Sequence, residues 1–119
     1  MRILVVDDSA FMRKALSQMI ASEPGLEVID TARNGKDAVA KALALKPDVI
    51  TMDVEMPEMN GIDALREIRR VCPDPKPAVI MCSSLTSAGS HEALLALRLG
   101  AADIVAKEAS IQTGNLDTL

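Results

Sequence analysis

Short apolar runs and longer amphipathic stretches take turns along this chain. Arg2 to Val6 is continuously apolar after one charge, which suits a strand covered on both faces, and Asp7 and Asp8 end it. Ser9 then caps a helix running to about Ser22, with Phe11, Ala15 and Met19, and beside them Met12, Leu16 and Ile20, at helical spacing. Pro24-Gly25 closes it. Leu26 to Thr31 alternates like a half-covered edge strand, and Asn34-Gly35 turns the chain into a helix from about Lys36 to Leu45. Lys46-Pro47 precedes a buried strand, Val49 to Met52, which delivers Asp53 at its end.

Beyond Pro57 a loop holding Asn60-Gly61 leads into a helix from about Ile62 to Val71, whose Ile62, Leu65 and Ile68 share a face. The prolines between Cys72 and Pro77 stop it. Ala78 to Cys82 is a fourth buried strand ending in Ser83-Ser84, and a helix from about Ser90 to Leu99 comes next, with Gly100 as its C-terminal cap. Asp103 to Ala106 is a short fifth strand, ending at Lys107. Such alternation specifies an α/β domain with a parallel sheet and helices on both faces. The tail from Glu108 to Leu119 lacks a helical stripe; a final helix at most begins near Asn115, and the flank it leaves bare is a possible dimer surface.

Composition narrows the function. The 119 residues make one domain, 49% apolar and 25% charged, as in ordinary soluble chains. Phe11 is the only aromatic residue and the net charge is −4, which argues against base stacking and direct nucleic-acid binding. Arg66, Arg69 and Arg70 form a local positive cluster that reads as a solvated face. Cys72 and Cys82 have no CxxC spacing or metal-ligand companions and read as reduced thiols of a cytoplasmic protein. The apolar start is too short for a signal peptide or membrane span.

The residues at strand carboxyl ends carry the chemistry: Asp7 and Asp8, Asp53, Ser83 and Lys107. In an open parallel sheet these ends share one edge, where ligands bind. Three carboxylates so close repel one another, and a hard divalent cation is the simplest remedy. Mg²⁺ takes carboxylate, water and phosphate oxygens, and no His or Cys stands there to favour zinc. Asp53 then reads as a nucleophile that becomes an acyl phosphate. Asp8, Asp53 and the backbone carbonyl of Glu55 read as metal ligands, Asp7 as acting through charge or water, and Lys107 and Ser83 as partners of the phosphoryl oxygens. Taken singly, Asp7 and Asp8 could be a solvated capping pair, Ser83 a turn hydroxyl and Lys107 an exposed lysine.

Val6-Asp7-Asp8-Ser9, Asp53-Val54-Glu55-Met56-Pro57 with Gly61 downstream, Ser83 and Lys107 together resemble the receiver domain of two-component response regulators, over nearly the whole chain up to Lys107. Asp8 to Arg13, Asp53 to Pro57 and Met81 to Thr86 look most like the regulatory half of the chemotaxis protein-glutamate methylesterases. The resemblance implies a flavodoxin-like doubly wound sheet of five strands in the order 2-1-3-4-5, with a short or missing last helix, and a receiver domain at 1–107 with a tail or linker at 108–119. It implies phosphorylation by a histidine kinase and an altered surface on the fourth helix and fifth strand, read by an effector domain or partner such as a methylesterase domain. No membrane or nucleic-acid partner is implied.

Three positions depart from the family pattern: Glu108 stands where a proline usually comes after the lysine, Ile104 where an aromatic switch residue is usual, and the last helix is cut short. No G-x-S-x-G elbow occurs, and Ser90 and His91 diverge on a helix, so methylesterase chemistry is not expected here. Two rival readings stand beside this one: a hydrolase using Asp53 as covalent nucleophile, for which the chain is too short to hold a substrate cap, and a pseudo-receiver that works unphosphorylated.

Overall fold

The computed structural model describes residues 1–83 and 102–106, with side chains as far as Cys82 and at Ala102. The elements are β1 (Arg2–Val6), α1 (Ala10–Ala21), β2 (Glu27–Ala32), α2 (Gly35–Leu45), β3 (Val49–Asp53), α3 (Gly61–Val71), β4 (Ala78–Ser83) and β5 (Asp103–Ala106). The strands pair in parallel in the order β2-β1-β3-β4-β5, as the resemblance implied. The helix expected over Ser90–Leu99, the Gly100 cap, Lys107, and the tail from Glu108 with its bare flank lie outside the described residues.

Successive side chains of a strand point to opposite faces, and the two faces of this sheet build two cores. Leu4, Val6, Ile50, Met52, Val79 and Met81 meet α2 and α3 on one side. Ile3 and Val5 meet Leu16 and Ile20 of α1 on the other, with Val28 and Val49 packed beside them. Continuous apolar runs in β1 and β3 are thereby explained: each is covered twice. In α3 the expected stripe of Ile62, Leu65 and Ile68 is buried with Ala64, while Arg66 and Arg70 lie on the solvent side beside Asp63 and Glu67. Cys72 and Cys82 are both buried, and burial pushes the Cys72 thiol up against the opposing pull of the nearby Lys76 ammonium.

Sequence expectations slip at four places. Phe11, assigned to the buried stripe of α1, is 72% exposed; the stripe runs through Leu16 and Ile20, and Phe11 falls outside its arc. The second strand runs Glu27–Ala32 rather than Leu26–Thr31, and its register shifts between Ile3↔Val28 and Leu4↔Asp30. The extra residue, Ile29, reverses the facing of the rest of the strand, so Val28 joins the α1 core and Ala32 the α2/α3 core. Finally, Asn34 and Asn60, taken as turn residues, are helix N-caps: their Oδ1 atoms accept from Asp37 N–H at 2.8 Å and Asp63 N–H at 2.9 Å. Both helices therefore begin one residue earlier than expected, at Gly35 and Gly61.

Ile68 has no exposed surface and bridges α3 to the sheet core. Ile68→Ala is expected to lower unfolding stability by about 2–5 kcal/mol, read as a drop in the urea midpoint at unchanged slope.

Candidate functional site

β1 and β3 are neighbours in register, Val6 facing Met52, so the residues just past those two positions emerge side by side at one edge. Asp7 continues the sheet by one hydrogen bond, its N–H donating to Ala32 O at 3.1 Å. Its side chain turns back and accepts from Ser9 N–H at 2.9 Å, while its carbonyl accepts from Arg13 Nη1 at 2.8 Å. Asp7 and Asp53 are fully buried and Asp8 is exposed. One carboxylate oxygen from each of Asp7, Asp8 and Asp53 lies within 4.8 Å of the others. The three acids singled out from the sequence thus do converge.

The next seven residues, 54–60, form the wall of the site. Val54 N–H donates to Cys82 O at 3.0 Å, extending the β3–β4 ladder past Asp53. Gly61 N–H returns to Val54 O at 2.8 Å and closes the loop on itself, with Met59 N–H on Pro57 O at 2.8 Å inside it. Glu58 takes a left-handed φ of 67° at the tip. Only glycine fits at 61: a Cβ there would overlap the carbonyl oxygen of Asp53 and come within 2.9 Å of its carbonyl carbon. Beside the carboxylates lies an open depression of about 420 Å³, lined by Asp8, Val54, Glu55, Met56, Pro57, Asn60 and Ile62. The Glu55 side chain is exposed, as expected of a residue implicated through its carbonyl, and Met56 and Met52 are buried filler.

Ser83 is the last residue of β4, one position beyond the Asp53↔Cys82 pair, and it faces Ala106 of β5. Lys107 is the residue after Ala106 in sequence and lies outside the described residues. Ile104 pairs with Met81 in the ladder.

Among the described residues the donors gathered at the edge are the oxygens of three carboxylates, two of them buried, and a hard, oxygen-preferring divalent cation fits this donor set better than zinc or copper. Two contributors escaped the sequence reading. Arg13 secures the acidic turn from one turn into α1; the Arg13-Lys14 pair on the first turns of a helix just after two acids is its only sequence mark. Gly35 donates its N–H to Met59 O at 3.1 Å, and the shared Asn-Gly-x-Asp pattern at 34–37 and 60–63 is the signal that paired the two helix starts.

A family model described as the response regulator receiver domain matches residues 3–115. A protein-glutamate methylesterase/protein-glutamine glutaminase of Aliivibrio fischeri is 56% identical over 107 residues, which is 90% of this chain and 28% of that protein. The chain therefore spans under a third of this relative's length. Among solved structures, the response regulator domain of Thermotoga maritima CheB matches with a TM-score of 0.86 and 44% identity, covering 95% of this chain and 89% of that one. A CheX-CheY-BeF3-Mg+2 complex from Borrelia burgdorferi contains a chain matching with a TM-score of 0.78 and 34% identity, covering 93% and 84%.

Gly61→Ala is expected to destabilise the fold by about 1–3 kcal/mol through forced displacement of the Asp53 carbonyl, measurable by chemical denaturation. A change within a few tenths of a kcal/mol would show that the loop yields freely.

Proposed function

The chain belongs to the response-regulator receiver family, and on that premise we propose that it is a Mg²⁺-dependent phosphoacceptor switch of chemotaxis signalling whose phosphorylated residue is Asp53. The observation that carries this reading is the convergence of the Asp7, Asp8 and Asp53 carboxylates within 4.8 Å, beside an open depression, at the carboxyl edge of the sheet.

Asp53 supplies the nucleophile. Its carboxylate oxygen forms a bond to the phosphorus of a kinase phosphohistidine as the P–N bond breaks, and the departing electron pair stays on the imidazole nitrogen, which takes up a proton. Asp8, Asp53 and the Glu55 carbonyl hold the cation, with Asp7 acting through its charge or a water. When bound, Mg²⁺ neutralises charge on the phosphoryl oxygens. The Lys107 ammonium and the Ser83 hydroxyl take the oxygens on the other side; the pairing of Ser83 with Ala106, the residue before Lys107, supports that assignment.

Phosphorylation adds roughly 1.5 to 2 negative charges at the site. Those charges attract Lys107 and Ser83 and so favour one arrangement of the segment between them, which is the differential contact a population shift requires. The surface altered is that of β5 and of the stretch 90–99, expected from the sequence as the fourth helix. Its reader is an effector, which the names of the relatives suggest is a methylesterase domain; residues 108–119, after the receiver domain assigned to 1–107, are a tail, the start of a final helix or a linker. The receiver's task in the cytoplasm is acceptance and switching rather than turnover.

Incubation with acetyl phosphate and Mg²⁺ is expected to add one phosphoryl mass to the wild-type protein, lost with EDTA and in Asp53→Ala. No adduct at saturating Mg²⁺ would overturn the reading and leave a receiver-shaped module that works unphosphorylated.

A further inference from the structure

The wall that carries the Glu55 carbonyl is held from three directions. Two holds are local: Val54 on β4, and Gly61 on Val54. The third comes from the start of α2, where Gly35 N–H donates to Met59 O at 3.1 Å. Gly35 is buried, and a Cβ there would overlap the Met59 carbonyl oxygen and lie 2.7 Å from Met59 Cβ and 2.8 Å from its Cγ. Its φ is not left-handed, Gly25 being the one glycine with positive φ among the described residues, so the backbone itself does not call for glycine. Close approach does.

The element that makes this approach is firmly placed. Asn34 caps α2, with Ala38 N–H on its carbonyl at 3.0 Å. Lys41 ties the helix to β2 through Asp30 at 3.5 Å and also pairs with Asp37 at 3.3 Å. β2 in turn receives Asp7 N–H at Ala32. One end of α2 is therefore referenced to the same sheet edge as the carboxylates, and it presses on the far end of the loop. Met59 meanwhile packs against the α2/α3 core.

We infer that Gly35 is a positioning residue for the cation site: its N–H and its missing side chain fix Met59, and through Met59 the 54–60 loop that presents the Glu55 carbonyl. The inference rests on the proposed function above. Gly35 touches neither cation nor phosphoryl group and acts only through the loop. A methyl at position 35 pushes Met59 outward and moves the loop relative to Asp8 and Asp53, whose own supports on β1 and β3 it leaves alone.

Isothermal titration of Mg²⁺ into the unphosphorylated protein tests this without reference to phosphorylation. Gly35→Ala is expected to weaken Mg²⁺ binding about tenfold, the lower end of what outer-shell substitutions do at metal sites. Leu43→Gly, which weakens α2 at an exposed position near its other end, is expected to bind as wild type does. Equal affinity for Gly35→Ala and wild type would overturn the inference, as would equal weakening in both variants, which would mark a general effect of helix stability. Should Gly35→Ala fail to fold, amide exchange in the wild type decides: by linkage, saturating Mg²⁺ must slow exchange of Gly35 N–H several-fold, and unchanged exchange overturns the inference. Wild-type protein that binds no Mg²⁺ would reject the proposed function itself, whereas Mg²⁺ binding that Gly35→Ala leaves unmoved rejects only the role of Gly35.

Discussion

Three carboxylates within 4.8 Å of one another are the constraint on which the rest of this structure depends. Ionised together, each pair repels by on the order of 3 kcal/mol even with the screening usual near a protein surface. No single local interaction holds them there. Asp7 and Asp53 emerge at the same edge because β1 and β3 are parallel, adjacent and in register, and the register is set by side chains that fill two cores at once. Displacing either strand by one residue would send each side chain into the opposite core, whose packing is fitted to the other set. The hydrophobic core thus positions charge at the carboxyl edge of the sheet.

The wall of the site obeys a different logic. Of residues 54–60 only Val54, Met56 and Met59 pack their side chains on the core, so the placement of the loop relies also on backbone hydrogen bonds and on two glycines that let other segments approach. Gly61 presses on Asp53 itself and Gly35 on Met59. A loop held in this way keeps its carbonyls fixed while the depression beside it stays open to solvent.

Much of this was legible in the sequence, for physical reasons. β1, β3 and β4 are short apolar runs that only double coverage explains, and an acid ending such a run announces the functional edge. Asp53, Asp7 and Asp8 were accessible on that ground. What escaped depends on contacts between distant segments. Ile29 reads as part of an alternating strand because nothing local marks a bulge. The apolar positions of α1 spread too widely to say which arc faces the sheet, hence the misplacing of Phe11. Asn-Gly serves equally as a turn or as a cap and first helical residue, and the choice at 34–35 is settled by Met59, which the local sequence does not reveal.

The central claim, that Asp53 is the atom-level acceptor, is tested most directly by chemical trapping. The protein is phosphorylated by a histidine kinase's phosphohistidine domain, reduced with borohydride, which converts an aspartyl phosphate to homoserine, and mapped by peptide mass. Homoserine at position 53 and nowhere else is the predicted result. Homoserine at Asp7 or Asp8, or phosphorylated protein that yields no homoserine, would contradict the account.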